Sequence, residues 1–170
     1  MITVISLLLI ACQTSKKKTL PDSAQKTIIG FEYNEKGERL AIVAGDPAVT
    51  DVWLEYIQAH NDKDLDKITS LDAEDIIVYR ANGTIGKGRI AHREFLAKWF
   101  IESNPMWSVK WMVANTLVKN DGTLEHWLEA GTEFTNIVEG KKIFMYLIAD
   151  VNIVSGKIKK INIYNREKKQ

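Results

Sequence analysis

Apolar residues recur along this chain in distinct rhythms, and each rhythm predicts a different element. Ile2 to Ala11 is an almost unbroken apolar run. At roughly ten residues it is too short to cross a bilayer as a helix, which needs about 20, and it suits the apolar stretch of a secretory signal. From Lys16 to about Gly45 periodicity lapses, and Pro21, Asp22, Ser23, Asn34, Gly37 and Gly45 predict a linker. Within it, Ile28 to Phe31 is the one stretch that suits a short strand.

The body begins at Asp46-Pro47, a helix-start pair. Val49, Val52, Trp53, Tyr56, Ile57 and His60 then recur at helical spacing, with Asp51, Glu55 and Gln58 opposite. Asp64 to Leu71 predicts a second, short helix. Ile76 to Tyr79 is β-branched and aromatic, a strand. Asn82-Gly83 predicts a turn, and a third helix covers about Ile90 to Ser103, with Pro105 preventing its continuation. After that the period falls to two. Trp107, Val109, Trp111 and Val113 alternate with more polar neighbours. Asn120-Asp121-Gly122, Glu139-Gly140 and Ser155-Gly156 then separate Leu124 to Val138, Ile143 to Val154 and Lys157 to Asn165. Helices followed by an antiparallel meander give an α+β fold with helices on one face of a curved sheet.

Composition narrows the function classes. Lysine plus arginine number 23 against 22 acids, a net charge of +1, so no concentrated basic face for nucleic acid is expected. Cys12 is the single cysteine, which rules out an intrachain disulfide and the thiol set of a structural zinc site. The histidines His60, His92 and His126 lack metal-ligand spacing. No metal or cofactor is therefore expected. His60 continues the buried stripe of Tyr56, whereas His92 reads as a helix cap or a solvent-facing residue.

Leu9-Ile10-Ala11-Cys12 resembles a bacterial lipobox, although no Lys or Arg precedes the apolar run. The resemblance implies a signal peptide over 1–11, lipidation of Cys12, a tether over 12–45, and a bacterial cell-envelope protein held to the membrane without spanning it. A buried amino-terminal strand is the other reading of the run.

Four stretches in order resemble the nuclear transport factor 2-like superfamily, in its SnoaL-like and ketosteroid-isomerase-like branch. They are Glu55-Tyr56-Ile57-Gln58-Ala59-His60-Asn61-Asp62-Lys63-Asp64-Leu65, Asp72-Ala73-Glu74-Asp75-Ile76, Gly88-Arg89-Ile90-Ala91-His92-Arg93-Glu94-Phe95-Leu96, and Asp150-Val151 with Gly156-Lys157-Ile158. The resemblance implies a cone over 46–167, a cystatin-like roll whose curved sheet wraps three helices and leaves an apolar cavity. It places Tyr56 and Asp150 at the two positions that donate hydrogen bonds to an enolate, both aimed into the cavity. It places Arg80 where a general base stands, and a guanidinium cannot abstract a proton at neutral pH, so steroid isomerase activity is not expected. Arg80 instead favours an anionic ligand, or pairs with Asp75 or a rim glutamate.

Trp53, Tyr56, His60, Arg80, Trp99 and Asp150 are the candidate pocket residues, with ordinary core packing the alternative for the tryptophans. Tyr56, Asp150 and His60 are the candidate catalytic groups. The resemblance also implies pairing through sheets as a homodimer, with Ile143, Met145, Leu147, Ala149 and Val151 outward. Three functions stay open. They are binding of a small apolar or weakly acidic ligand, protein interaction as a sheet-paired dimer, and proton-transfer isomerisation or dehydration.

Overall fold

The computed structural model describes residues 27–167. Cys12 and the expected signal peptide lie outside the described residues. The elements run β1 (Ile28–Tyr33), β2 (Arg39–Ala44), α1 (Ala48–Asp62), α2 (Leu65–Leu71), β3 (Asp72–Tyr79), β4 (Ile85–Lys87), α3 (Arg89–Ser103), β5 (Met106–Val118), β6 (Leu124–Val138), β7 (Lys141–Val154) and β8 (Lys157–Glu167). The strands form one sheet in the order β1-β2-β5-β6-β7-β8-β3-β4. Every pairing is antiparallel except β3 with β8. The sheet curves around the helices, which is the expected α+β cone.

Local chemistry sets the helix ends. The Asp46 carboxylate accepts the Ala48 N–H at 2.9 Å, and its carbonyl accepts the Val49 N–H, so the helix-start pair does its work one residue ahead of Pro47. Helix α1 stops at Lys63, which turns left-handed at φ 62°. The Lys63 ammonium donates to the Pro105 carbonyl, tying this corner to the loop before β5. Asp64 caps α2 by accepting the Lys67 N–H at 2.9 Å. Gly88, at φ 86°, opens α3 with a backbone that a Cβ would strain.

Three strands lie where none was firmly expected. Residues 28–44, read as linker apart from a short strand near Ile28, form the β1–β2 hairpin, and β2 joins the sheet through Ala41–Ala44 against Asn115–Val118. No alternating pattern advertises it, because β1 is largely solvent-exposed and only Leu40 and Val43 of β2 are buried. Gly45 permits the join. Its N–H donates to the Ala114 carbonyl, and a Cβ there would lie 2.5 Å from the Asn115 nitrogen. The other addition, β4, pairs three residues with the end of β3.

A bulge in β5 and the parity of β7 correct two sequence expectations. Register shifts between Val109 and Trp111, so Trp107, Val109 and Met112 face the core, while Trp111 and Val113 turn outward. The Trp111 indole lies on Gly131, where a Cβ would be 2.1 Å from its ring nitrogen. In β7, Val151 is fully buried and Met145, Leu147 and Ala149 line an internal cavity, the reverse of the outward placement expected of them; Phe144 and Ile148 face solvent instead. Both parities of β7 are apolar, so alternation did not distinguish its faces. The core joins α1, α2 and α3 to the inner sheet face through Ile57, Ile68, Ile76, Leu96, Leu128, Val151 and Ile158. Each such side chain contributes about 1.5–3 kcal/mol by leaving water.

Candidate functional site

Helices α1 and α3 present the same spacing to one space. Trp53, Tyr56, Ile57 and His60 come from α1, and His92, Phe95, Leu96 and Trp99 from α3, each set at i, i+3, i+4 and i+7. Between them and the inner faces of β6, β7 and β8 lies a cavity of about 300 Å³. That is the low end of the size range of small-molecule pockets. Its walls are mostly aromatic and aliphatic. Trp99 meets Trp107 edge-on at 5.6 Å and stacks on Phe134 at 6.0 Å.

At its polar end, the cavity is organised by a residue that the sequence reading did not single out. Asp72 opens β3 directly after α2 and is 1% exposed. A carboxylate so buried is costly unless both oxygens are partnered. Here the Tyr56 hydroxyl donates to one oxygen at 2.8 Å, and the His92 Nδ1 lies 2.8 Å from the other. Burial foremost, then the Asp72 charge and its hydrogen bond, push the Tyr56 phenol well above its ordinary range, so it stays a neutral donor. His92 is buried, which corrects its expected place as a helix cap or in solvent. Its Nδ1 faces an oxygen that only accepts, so that nitrogen carries the proton and Nε2 is left toward the cavity.

His60 is held differently. Its Nδ1 lies 2.8 Å from the Tyr56 carbonyl, which also only accepts, so the neutral ring again keeps a lone pair on Nε2. Burial lowers its pKa to about 3, and the neighbouring His92 and Lys63 add to this against the carbonyl hydrogen bond. The two imidazole rings stand 6.4 Å apart.

Arg80 follows β3 in a closed turn, its N–H donating to the Thr84 carbonyl at 2.9 Å. Its guanidinium lies over the Phe95 ring at 3.9 Å, with Gly86 against it so closely that a Cβ there would be 2.8 Å from a guanidinium nitrogen. Partial burial lowers its pKa. Among the described residues no carboxylate lies within ion-pair distance of Arg80. Asp75, one partner considered for it, pairs with Lys159.

Trp53, Tyr56, His60, Arg80 and Trp99 thus line the cavity, and Asp150 does not. Its neighbour Ala149 faces the cavity, so Asp150 points through the opposite side of the sheet, where it accepts from the Asn162 amide at 2.9 Å. Motif order alone set the expected position, and a one-residue difference in strand parity exchanges the faces. The Tyr56 hydroxyl is engaged by Asp72, so the expected pair of enolate donors is not assembled. His126 lies elsewhere, 3.2 Å from the Thr116 hydroxyl. Two buried polar atoms on cavity-lining residues, Trp53 Nε1 and Asn136 Oδ1, have no hydrogen-bond partner among the described residues. Among the described residues no cluster of His, Cys, Asp and Glu fits a metal ion.

One signal for the missed pair was present. His92 stands at i−4 and i−7 from Leu96 and Trp99, on the apolar stripe of α3.

No protein-family profile matches this chain, and no curated protein matches it. Solved structures do. An LEH-like epoxide hydrolase of M. tuberculosis superposes with TM-score 0.59 at 11% identity, over 69% of this chain and 82% of that one. A ketosteroid isomerase-like protein of Kribbella flavida superposes with TM-score 0.54 at 14% identity, over 72% and 80%. A protein of Catenulispora acidiphila with a ketosteroid isomerase-like fold, solved with trimethylamine, gives TM-score 0.54 at 12% identity, over 67% and 84%. At these identities the likeness establishes the nuclear transport factor 2-like fold.

The placement of His60 carries a stability prediction. Its folded pKa is depressed to about 3 from 6.5, so below pH 6.5 the unfolded chain binds a proton that the native ring refuses. Native stability therefore falls between pH 6.5 and about 3, with a slope from this ring approaching 1.4 kcal/mol per pH unit. Urea unfolding across that range is expected to show a slope that His60→Gln reduces by about one proton; an unchanged slope contradicts the assignment.

Proposed function

We propose that the cavity binds a small, mostly apolar molecule with a carboxylate or similarly acidic head. The observation that carries this is Arg80, a half-buried guanidinium on the rim of an apolar cavity, flattened on Phe95 and Gly86 and unpaired with any described carboxylate. A fixed guanidinium without an internal counter-ion favours an incoming anion and gives it a two-pronged, charge-assisted hydrogen bond. The apolar walls would take the tail. Charge distinguishes this pocket's ligand from the amine seen with the Catenulispora protein.

A hydrogen bond to a charged group contributes about 1.5–3 kcal/mol, roughly 10- to 100-fold in affinity. Calorimetry is therefore expected to show hexanoate binding at least about tenfold more tightly than hexanol, and Arg80→Met is expected to abolish that preference. Equal affinities for acid and alcohol in the native chain would reject the reading.

The same chain is proposed to be anchored to a bacterial envelope through Cys12. The support is in the sequence: a short apolar run, Ala11 and the only cysteine coincide. Acylation at that thiol would fix the cone to a membrane, with the lysine run 16–18 nearest the headgroups. Cells given labelled palmitate are expected to label the chain and to stop doing so with Cys12→Ser. Label retained by that variant, or absent from the native chain, refutes anchoring at Cys12.

A further inference from the structure

The proposed reading accounts for Arg80 but leaves unused the most tightly built feature of the cavity, the buried Tyr56–Asp72–His92 chain. A buried carboxylate is not needed to bind an apolar acid, since its charge repels one. What the arrangement does achieve is orientation. Asp72 fixes which His92 nitrogen carries the proton, Tyr56 fixes Asp72, and Nε2 is left facing the cavity. Asp72 is also placed to stabilise an imidazolium once one forms. The groups shown beside His92 are Asp72 from β3 and His60 from α1.

The position of Arg80 supplies the second half. Phe95, which carries the guanidinium, stands three residues after His92 on α3, and both line the cavity. Side chains three apart on a helix are neighbours, with about 5–6 Å between their Cβ atoms. A proton acceptor and a positive charge therefore both border the cavity, linked through one turn of α3.

We infer that this cavity hydrolyses a carboxylic ester or lactone with an apolar acyl group, with His92 as general base toward water and Arg80 holding the oxyanion. The water proton passes to His92 Nε2 while the water oxygen bonds to the acyl carbon. The carbonyl π electrons move onto its oxygen, beside Arg80. Collapse of that intermediate re-forms the carbonyl and breaks the bond to the alkoxide, which takes the proton back from His92. An alcohol leaves, and an apolar carboxylic acid remains against Arg80.

Other chemistries are less well served. Proton abstraction from carbon relies on donors aimed at the developing enolate oxygen, and here Tyr56 is engaged by Asp72 while Asp150 faces away. A covalent route needs a nucleophile joined to the base. Among the described residues the lining holds no serine or cysteine, and no hydrogen bond joins Thr132 to His92.

The inference rests on the reading of the cavity as a carboxylate site, and the test separates the two. The probe is p-nitrophenyl hexanoate, followed as nitrophenolate release by the full chain. Release above the buffer rate is expected, inhibited competitively by hexanoate. His92→Gln, which keeps a donor toward Asp72, is expected to lower the rate about 100-fold or more, while calorimetry still shows hexanoate bound. Native release no faster than buffer, or full activity in His92→Gln, overturns the inference even if hexanoate binds. Failure of hexanoate to bind or compete overturns the carboxylate reading as well. If His92→Gln does not fold by circular dichroism, the native chain decides alone, since activity that hexanoate does not compete for also overturns it.

Discussion

A single buried charge constrains this molecule more than any other feature. Asp72 sits at the junction of α2 and β3 with almost no exposure, and its two oxygens are held by α1 through Tyr56 and by α3 through His92. Withdrawing either partner would leave a carboxylate in low dielectric with an open lone pair, a cost of several kcal/mol. The relative placement of two helices and the sheet is therefore tied to satisfying one side chain. Hydrophobic packing supplies most of the stability, but it is tolerant of small shifts. The bridged carboxylate is not, because hydrogen bonds weaken steeply away from their preferred distance and angle.

That constraint also separates two histidines that share one cavity. His60 is bonded to a neutral carbonyl and buried among Tyr56, Phe100 and Trp107, so it remains uncharged. His92 is bonded to a carboxylate. Similar rings 6.4 Å apart thus meet opposite electrostatics. Engaging the Tyr56 hydroxyl with Asp72 has a further consequence: it withdraws from the cavity a donor that the resemblance placed there. The fold is that of proteins with several chemistries, and the polar groups within it here make a distinct set.

Much of the fold was legible because its periodicities are strong. The stripe Val49 to His60 set α1, and the turns at Asn120-Asp121-Gly122, Glu139-Gly140 and Ser155-Gly156 set the meander. The β1–β2 hairpin was not, since an exposed edge strand has no buried face to leave a pattern. The bulge at Val109–Trp111 was invisible for a related reason: alternation continues through it in the sequence while the backbone reverses its faces. The site was legible where it coincides with a helical stripe, as for Trp53, Tyr56 and His60. Asp150 was misplaced by strand parity. Asp72 was hidden because a buried carboxylate reads like a surface one until its partners, 16 and 20 residues away, are brought to it.

The orientation of the His92 ring is where fold and chemistry meet, and nitrogen-15 NMR of the imidazoles tests it most directly. At pH 9 the account predicts a His92 ring whose Nδ1 is protonated, with Nε2 showing the shift of a bare, pyridine-like nitrogen. A His92 ring with its proton on Nε2 would contradict it, because Asp72 would then face a lone pair and the cavity would have no base.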